Sequence, residues 1–306
     1  MTSTLETCTS SSRPGSPSDG DTLFETDTNK VITWDGSAWR VYNSDNSVGY
    51  DLDGTNITTV APLFHFDAEK INGTDASGNP SNAAAFTGQW TSRVNGRTTV
   101  AQGTASAQPT YYTSGENSKP YLNFDGGDTL FLTQNVYFQG DLTVCIVGKA
   151  DSSSYFSPLG PFGADDEGMS ATFKLGGGGI FSGRSTDFLM LYSATSAGYP
   201  GVSNFPTGKD FHTETRNLIF KRASNSASLY FDGDNLPSSN PSSNTSTCDV
   251  RCGLIGRSVT YASTGKIYEI IGFESALSTT DLNAWNAYVT AKYACGTGAM
   301  ESQDNF

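Results

Sequence analysis

Along most of this chain apolar and polar positions alternate in short bursts broken by Gly, Ser, Asn and Pro. A period of two predicts β-strands, and the breakers predict turns. Leu122–Phe124, Phe188–Tyr192, Leu218–Lys221, Leu229–Phe231 and Leu254–Gly256 each read this way. Leu142–Val147 is apolar almost throughout, which predicts a central strand buried on both faces. Ile267, Tyr268, Ile270, Ile271 and Phe273, preceded by Gly265, predict a closing buried strand. One stretch changes period. Leu282, Trp285, Tyr288 and Val289 share a face at helical spacing. Ser278 supplies an N-cap, Asp281 sits in the first turn, and Leu277 is placed to staple to Leu282. Lys292 suits the negative C-terminal end, and Cys295-Gly296 stops the helix. The pattern therefore predicts an all-β protein with one short C-terminal helix.

The same pattern divides the chain. Residues 1–19 are rich in Ser, Thr, Pro and Gly and read as a flexible or docking arm. Residues 20–60 predict a small β-meander with a linker over 51–60. Its strands are Leu23–Glu25, Lys30–Trp34 and Arg40–Tyr42, with a tight turn at Asp35-Gly36. So small a sheet needs something to pack against. Residues 61–296 hold the main domain, and 297–306 form a tail. Within the domain, Phe156–Gly168, Gly176–Gly179 and Pro237–Thr247 read as loops, and Gln134–Gly140 as a connection between strands.

Composition narrows the function classes. Hydrophobic residues make up 36% of 306 positions, with 18 Phe and 14 Tyr, enough for a large core. The formal net charge of -13 argues against a nucleic-acid partner, which would need clustered Lys and Arg. No apolar run is long enough to span a membrane, so no membrane insertion is expected. The N-terminus has neither the basic start nor the apolar core of a secretory signal. Five Cys, an odd number, fit reduced thiols in a cytosolic assembly, and Cys248 and Cys252 are too far apart on an extended strand for a disulfide.

Several motifs carry a resemblance. The run Ile267–Phe273, then Ala276-Leu277-Ser278 with Asp281, then Tyr288-Val289 with Lys292-Tyr293, resembles the closing segment of concanavalin A-like domains of the laminin-G type. Pro62–Ala68 is similar to that family's opening strand, Lys119–Gly126 follows in order, and Leu229–Gly233 resembles its hairpin. The resemblance implies a jelly-roll sandwich of two antiparallel sheets. Separately, residues 20–39, with Trp34-Asp35-Gly36-Ser37-Ala38-Trp39, resemble a short motif of phage tail-fibre and other virion proteins.

Candidate chemistry was sought first as paired carboxylates, which glycoside hydrolysis needs about 5 Å apart for the retaining mechanism. The Glu-x-Asp-x-Glu strand motif of the sandwich hydrolases is missing from the sequence. Asp67 and Glu69 share a face, but Asp67 stands where a turn-capping role is expected, and Glu269 and Glu274 have opposite parity. His65 lies between two Phe and reads as a strand residue facing the other way. No catalytic residue is predicted. Calcium is the cofactor considered, with Asp165, Asp166, Glu167, Asp232 and Asp234 as candidate ligands. Trp90, Tyr199 and Phe205 are the loop aromatics that could face a sugar.

Together these readings predict a virion surface protein assembled in the host cytoplasm, a non-enzyme. Residues 1–50 would bind other virion proteins, and the sandwich, as a homo-oligomer on the particle, would meet a host-surface glycan. A ligand-free capsid decoration protein is the alternative, and a polysaccharide depolymerase the third reading.

Overall fold

The computed structural model describes residues 6–26, 30–34, 36–37, 39–42, 50–52, 55–94, 97–138, 141–151, 155–160, 171–177, 187–193, 201–202, 214–223, 226–236, 250–256 and 263–295. The N-terminal strands are β1 (Glu6–Cys8), β2 (Thr22–Glu25), β3 (Lys30–Trp34), β4 (Trp39–Tyr42), β5 (Tyr50–Leu52) and β6 (Thr55–Thr58). The domain then runs β7 (Phe64–Asp67), β8 (Ala84–Ala85), β9 (Thr110–Tyr112), β10 (Tyr121–Asp125), β11 (Leu130–Phe138) and β12 (Leu142–Ala150). Next come β13 (Tyr155–Gly160), β14 (Ala171–Gly177), β15 (Asp187–Ser193), β16 (Gly201–Val202), β17 (Arg216–Ala223) and β18 (Ser226–Phe231). The chain closes with β19 (Asp234–Leu236), β20 (Val250–Ile255), β21 (Thr264–Phe273) and helix α1 (Thr279–Tyr293).

These elements build a jelly-roll sandwich. The larger sheet runs β19-β18-β17-β12-β21-β10-β9-β8, with β7 also paired to β21, and the smaller runs β11-β20-β13-β14-β15-β16. Within both, the pairings are antiparallel. Phe64, Phe66, Leu122, Phe124, Val144 and Ile146 of the larger sheet pack in one core with Leu130, Leu132, Val136, Leu159 and Ile255 of the smaller. As the apolar run predicts, β12 is central, flanked by β17 and β21.

The other face of the larger sheet is covered too. Cys145, Val147, Ile219, Ile271 and Phe273 form a second cluster with Leu282, Trp285, Val289 and Tyr293 of α1. This explains why Leu142–Val147 is apolar at every position but one: alternate residues meet two different cores. The helix starts as its sequence predicts, with Ser278 Oγ accepting from the Asp281 amide at 3.1 Å.

The N-terminal region departs from expectation twice. Glu6–Cys8 lies inside the segment read as a flexible arm, yet it adds a fourth strand, parallel to β2, to the predicted meander. Arg13 of the same segment pairs with the buried Glu25. Residues 51–60, read as a linker, contribute to the β5–β6 hairpin, which approaches α1. Thr59 donates its amide to Asp281 Oδ1 at 2.6 Å, so the helix N-terminus anchors this segment. Two readings within the sandwich also change. Gln134–Phe138 belongs to β11 rather than to a connection, and Tyr155–Gly160, at the start of the predicted loop, is a strand.

Candidate functional site

The chemistry of the described residues concentrates beneath α1. On β7 the side chains alternate, so Phe64 and Phe66 enter the inter-sheet core while His65 and Asp67 face the helix side. On β21 a bulge intervenes. Val147 pairs with Glu269 and Gly148 with Ile267, which leaves Tyr268 as the extra residue. The bulge shifts parity, so Tyr268 joins the outer cluster and Glu269 also meets helix residues. Strand register then sets Asp67 directly opposite Glu269. Two acids facing each other across a sheet repel unless a cation intervenes.

Helix α1 supplies that cation. Lys292 Nζ lies 2.8 Å from Asp67 Oδ2 and 3.1 Å from Glu269 Oε2. The Tyr293 hydroxyl donates to Glu269 Oε2 at 2.6 Å, and the Tyr288 hydroxyl to Oε1 at 3.0 Å. His65 Nε2 closes on Glu269 Oε1 from the sheet. Arg93 Nη1 reaches Asp67 Oδ2 at 3.3 Å, while Asp67 Oδ1 accepts the Glu69 amide at 2.9 Å. That last bond is the turn-capping role expected of Asp67. His65, Asp67 and Glu269 have no solvent-accessible side-chain surface, and Lys292 keeps 9%.

The charges are set by this packing. Burial alone would push the Glu269 carboxyl up. The charge of Lys292, the His65 ring and the Tyr293 hydroxyl outweigh it and hold Glu269 well below the usual carboxylate range. Burial alone would lower Lys292, but Glu269 and Asp67 reverse that and hold it above an ordinary lysine. Burial, then the charges of Glu269 and Asp67, push the Tyr288 and Tyr293 hydroxyls up. The cluster therefore holds a carboxylate, an ammonium and neutral phenols.

Single donor atoms from His65, Asp67 and Glu269 lie within 4.8 Å of one another, close enough to hold a metal ion. One imidazole with two carboxylates suits a transition metal better than calcium, which prefers oxygen ligands alone. The Lys292 ammonium already lies against both carboxylates, so the set does not fit calcium.

The residues singled out by sequence fall elsewhere. Trp90 is not a sugar platform: it is fully buried in the inter-sheet core, and its indole N–H donates to the Asp67 carbonyl at 3.1 Å. Its loop is drawn inward because Thr91 and Thr99 make backbone bonds to Ile71 and Trp90. Asp232 is buried in the β18–β19 turn, where Asp232 and Gly233 both have positive φ. Its carboxylate accepts from the Asn217 amide at 2.9 Å and from Arg216 at 2.7 Å, which uses it structurally rather than for calcium. Asp234 begins β19 and is half-buried. Asp165, Asp166, Glu167, Tyr199 and Phe205 lie outside the described residues.

Reasoning from sequence missed the cluster. In the sequence Lys292 reads only as a helix-end charge and His65 only as a strand residue. Glu269 shares its parity with Ile271 and Phe273 of the outer cluster, which is one signal, while nothing local announces the bulge that turns Tyr268 to the same face. A second signal exists: His65 and Asp67 alternate with Phe64 and Phe66, which places both on the opposite face of a doubly covered strand.

No protein-family model matches the chain, and no curated protein matches it. Among solved structures, it is similar to domain 4 of AbnA, a GH43 extracellular arabinanase from Geobacillus stearothermophilus, in complex with arabinotriose. The identity is 15%, over 74% of this chain and 97% of that one, with a TM-score of 0.45. It is similar to Trypanosoma rangeli sialidase in complex with the inhibitor DANA at 12% identity, over 89% of this chain and 45% of that one, with a TM-score of 0.42. A heptameric SAP-like pentraxin from Limulus polyphemus matches at 13% identity, over 55% of this chain and 80% of that one, with a TM-score of 0.41.

Proposed function

We propose that this chain is a virion surface structural protein, a fibre or appendage, whose sandwich adheres to host-surface glycans. The observation that carries the adhesive reading is the state of the carboxylate pair beneath α1. Asp67 and Glu269 face each other, but Lys292 and Arg93 pair with them, and His65 and two tyrosines hydrogen-bond Glu269 beneath the helix. Hydrolysis needs one protonated and one free carboxyl open to substrate. A pair sealed in this way serves structure and leaves the loops of a rigid sandwich for recognition. The virion reading is supported by the motif of residues 20–39, on a small sheet whose own core centres on Leu23 and Ile32. Residues 1–50 would attach the protein to its particle.

A flat polar ligand gives little area to bury, so a single domain should bind weakly. Many copies on one particle would raise avidity by orders of magnitude. The test is purified protein clustered on beads and added to host cells, with and without chelator. Adhesion that needs clustering supports the reading, and its loss with chelator would add calcium. If clustered protein does not adhere in either condition, a ligand-free capsid decoration role replaces it. Release of reducing sugar from host polysaccharide would instead make the protein a depolymerase.

A further inference from the structure

We propose that Lys292 and Asp67 are the reacting pair of a self-formed isopeptide bond that ties the last turn of α1 to the first strand of the sandwich. The two groups are 2.8 Å apart, buried, and held from opposite sides of one interface. Glu269, also buried, is 3.1 Å from the same Nζ and directly across the strands from Asp67. Lys292 lies over the rings of Tyr288 and Tyr293, which flank the reacting atoms.

The step balances without any other reagent. Lys292 Nζ attacks Asp67 Cγ. The Nζ–Cγ bond forms and the Cγ–Oδ2 bond breaks. One proton of the ammonium stays as the amide N–H, and the other two leave on Oδ2 as water. Nothing is oxidised or reduced. Glu269 takes a proton from Nζ and passes it to Oδ2, ending as the carboxylate it began. The Glu69 amide already donates to Oδ1, the oxygen on which charge develops in the tetrahedral intermediate.

Two physical arguments favour the bond. Fixed contact between amine and carboxyl replaces a bimolecular encounter, which raises effective concentration greatly. Condensation also replaces the Asp67 and Lys292 charges by a neutral amide, and Glu269 keeps its bonds to His65, Tyr288 and Tyr293. The ion pairing that keeps Lys292 protonated opposes the first proton transfer. The bond should therefore accumulate slowly after folding. This inference does not depend on the adhesive reading.

The test is the intact mass of the purified full chain, fresh and after prolonged incubation, followed by peptide mapping. The expected result is loss of one water with time, and a branched species joining the Asp67 and Lys292 peptides. Mapping is essential because the Asp-Gly pairs at 19–20, 35–36, 53–54, 125–126 and 232–233 can lose water by cyclising. Lys292→Arg keeps the positive charge and should keep the full mass at this site. Glu269→Gln should slow joining about a hundredfold. Aged, folded wild-type protein at full mass overturns the proposal even if neither variant folds. A water loss mapped elsewhere overturns it equally. Joining at the wild-type rate in Glu269→Gln overturns the relay.

Discussion

The two faces of the larger sheet are both buried, yet they are built on different principles. The inner face is filled by side chains such as Phe64, Phe66, Val144 and Ile146, which meet the smaller sheet without a charge among them. The outer face mixes apolar packing under Trp285 with His65, Asp67, Glu269 and Lys292. An apolar interface gains its free energy from area and tolerates sliding. An interface of directional, charge-assisted bonds tolerates little. The sandwich can thus cohere through one face while the other sets where the helix sits. Trp285 joins the two modes: it packs in the outer cluster, its indole N–H donates to Asn217 Oδ1 at 2.9 Å, and Asn217 in turn donates to Asn286.

This contrast can be broken most severely at the outer face. Trp285→Ala should cost about 3–5 kcal/mol, read by chemical denaturation, since it empties the space between helix and sheet. An unchanged midpoint would show that the helix does not depend on this packing. Glu269→Ala should cost a similar amount, about 3–5 kcal/mol, because it strands buried positive groups. Replacing His65, Asp67, Glu269 and Lys292 together by apolar residues of similar volume should cost far less than Glu269→Ala alone. A quadruple variant as unstable as the single one would mean that the cluster stabilises as well as positions.

The faces should also differ in pH response. Glu269 is held below its ordinary value of 4.5, so its contribution is present above that value and lost as pH falls below it. Lys292 is held above its ordinary value of 10.5, so its contribution is present below that value and lost as pH climbs past it. The contribution of this ion pair to Tm should therefore be flat between these limits and fall outside them. Glu269→Gln should flatten the acid limb. Ile146→Val on the inner face should cost about 0.5–1.5 kcal/mol and leave the shape of the pH profile unchanged.

The smallest effect is expected away from both faces. Burial, followed by neighbouring Asp125, pushes the Asp128 carboxyl up to about 6. The folded state holds that proton more tightly, so stability declines as pH rises from the ordinary carboxylate range to about 6. Asp128→Asn should raise Tm slightly at neutral pH and not in acid, because an amide oxygen can still accept from the Asp125 amide. Dialysis against a chelator should leave Tm unchanged, and a fall would show that a bound metal ion supports the fold.

What the sequence determined by itself was the class of the central strands of the larger sheet, of the meander and of the helix, and much of their placement. Alternation marked the strands, the run Leu142–Val147 marked the centre of a sheet, and Ser278 with Asp281 marked where the helix begins. These are local signals, because they follow from hydrogen bonding and burial within a few residues. The tertiary structure alone decided that β1 and the β5–β6 hairpin dock on their own chain, since edge pairing depends on what lies nearby in space. It alone turned Trp90 inward, away from the sugar-facing role its loop position allowed. It alone assembled the charge cluster. Asp67, Glu269 and Lys292 are distant in sequence, and their meeting requires the β7–β21 register and the docking of α1 together. Each of these is a property of packing between elements, and no short stretch of sequence encodes it.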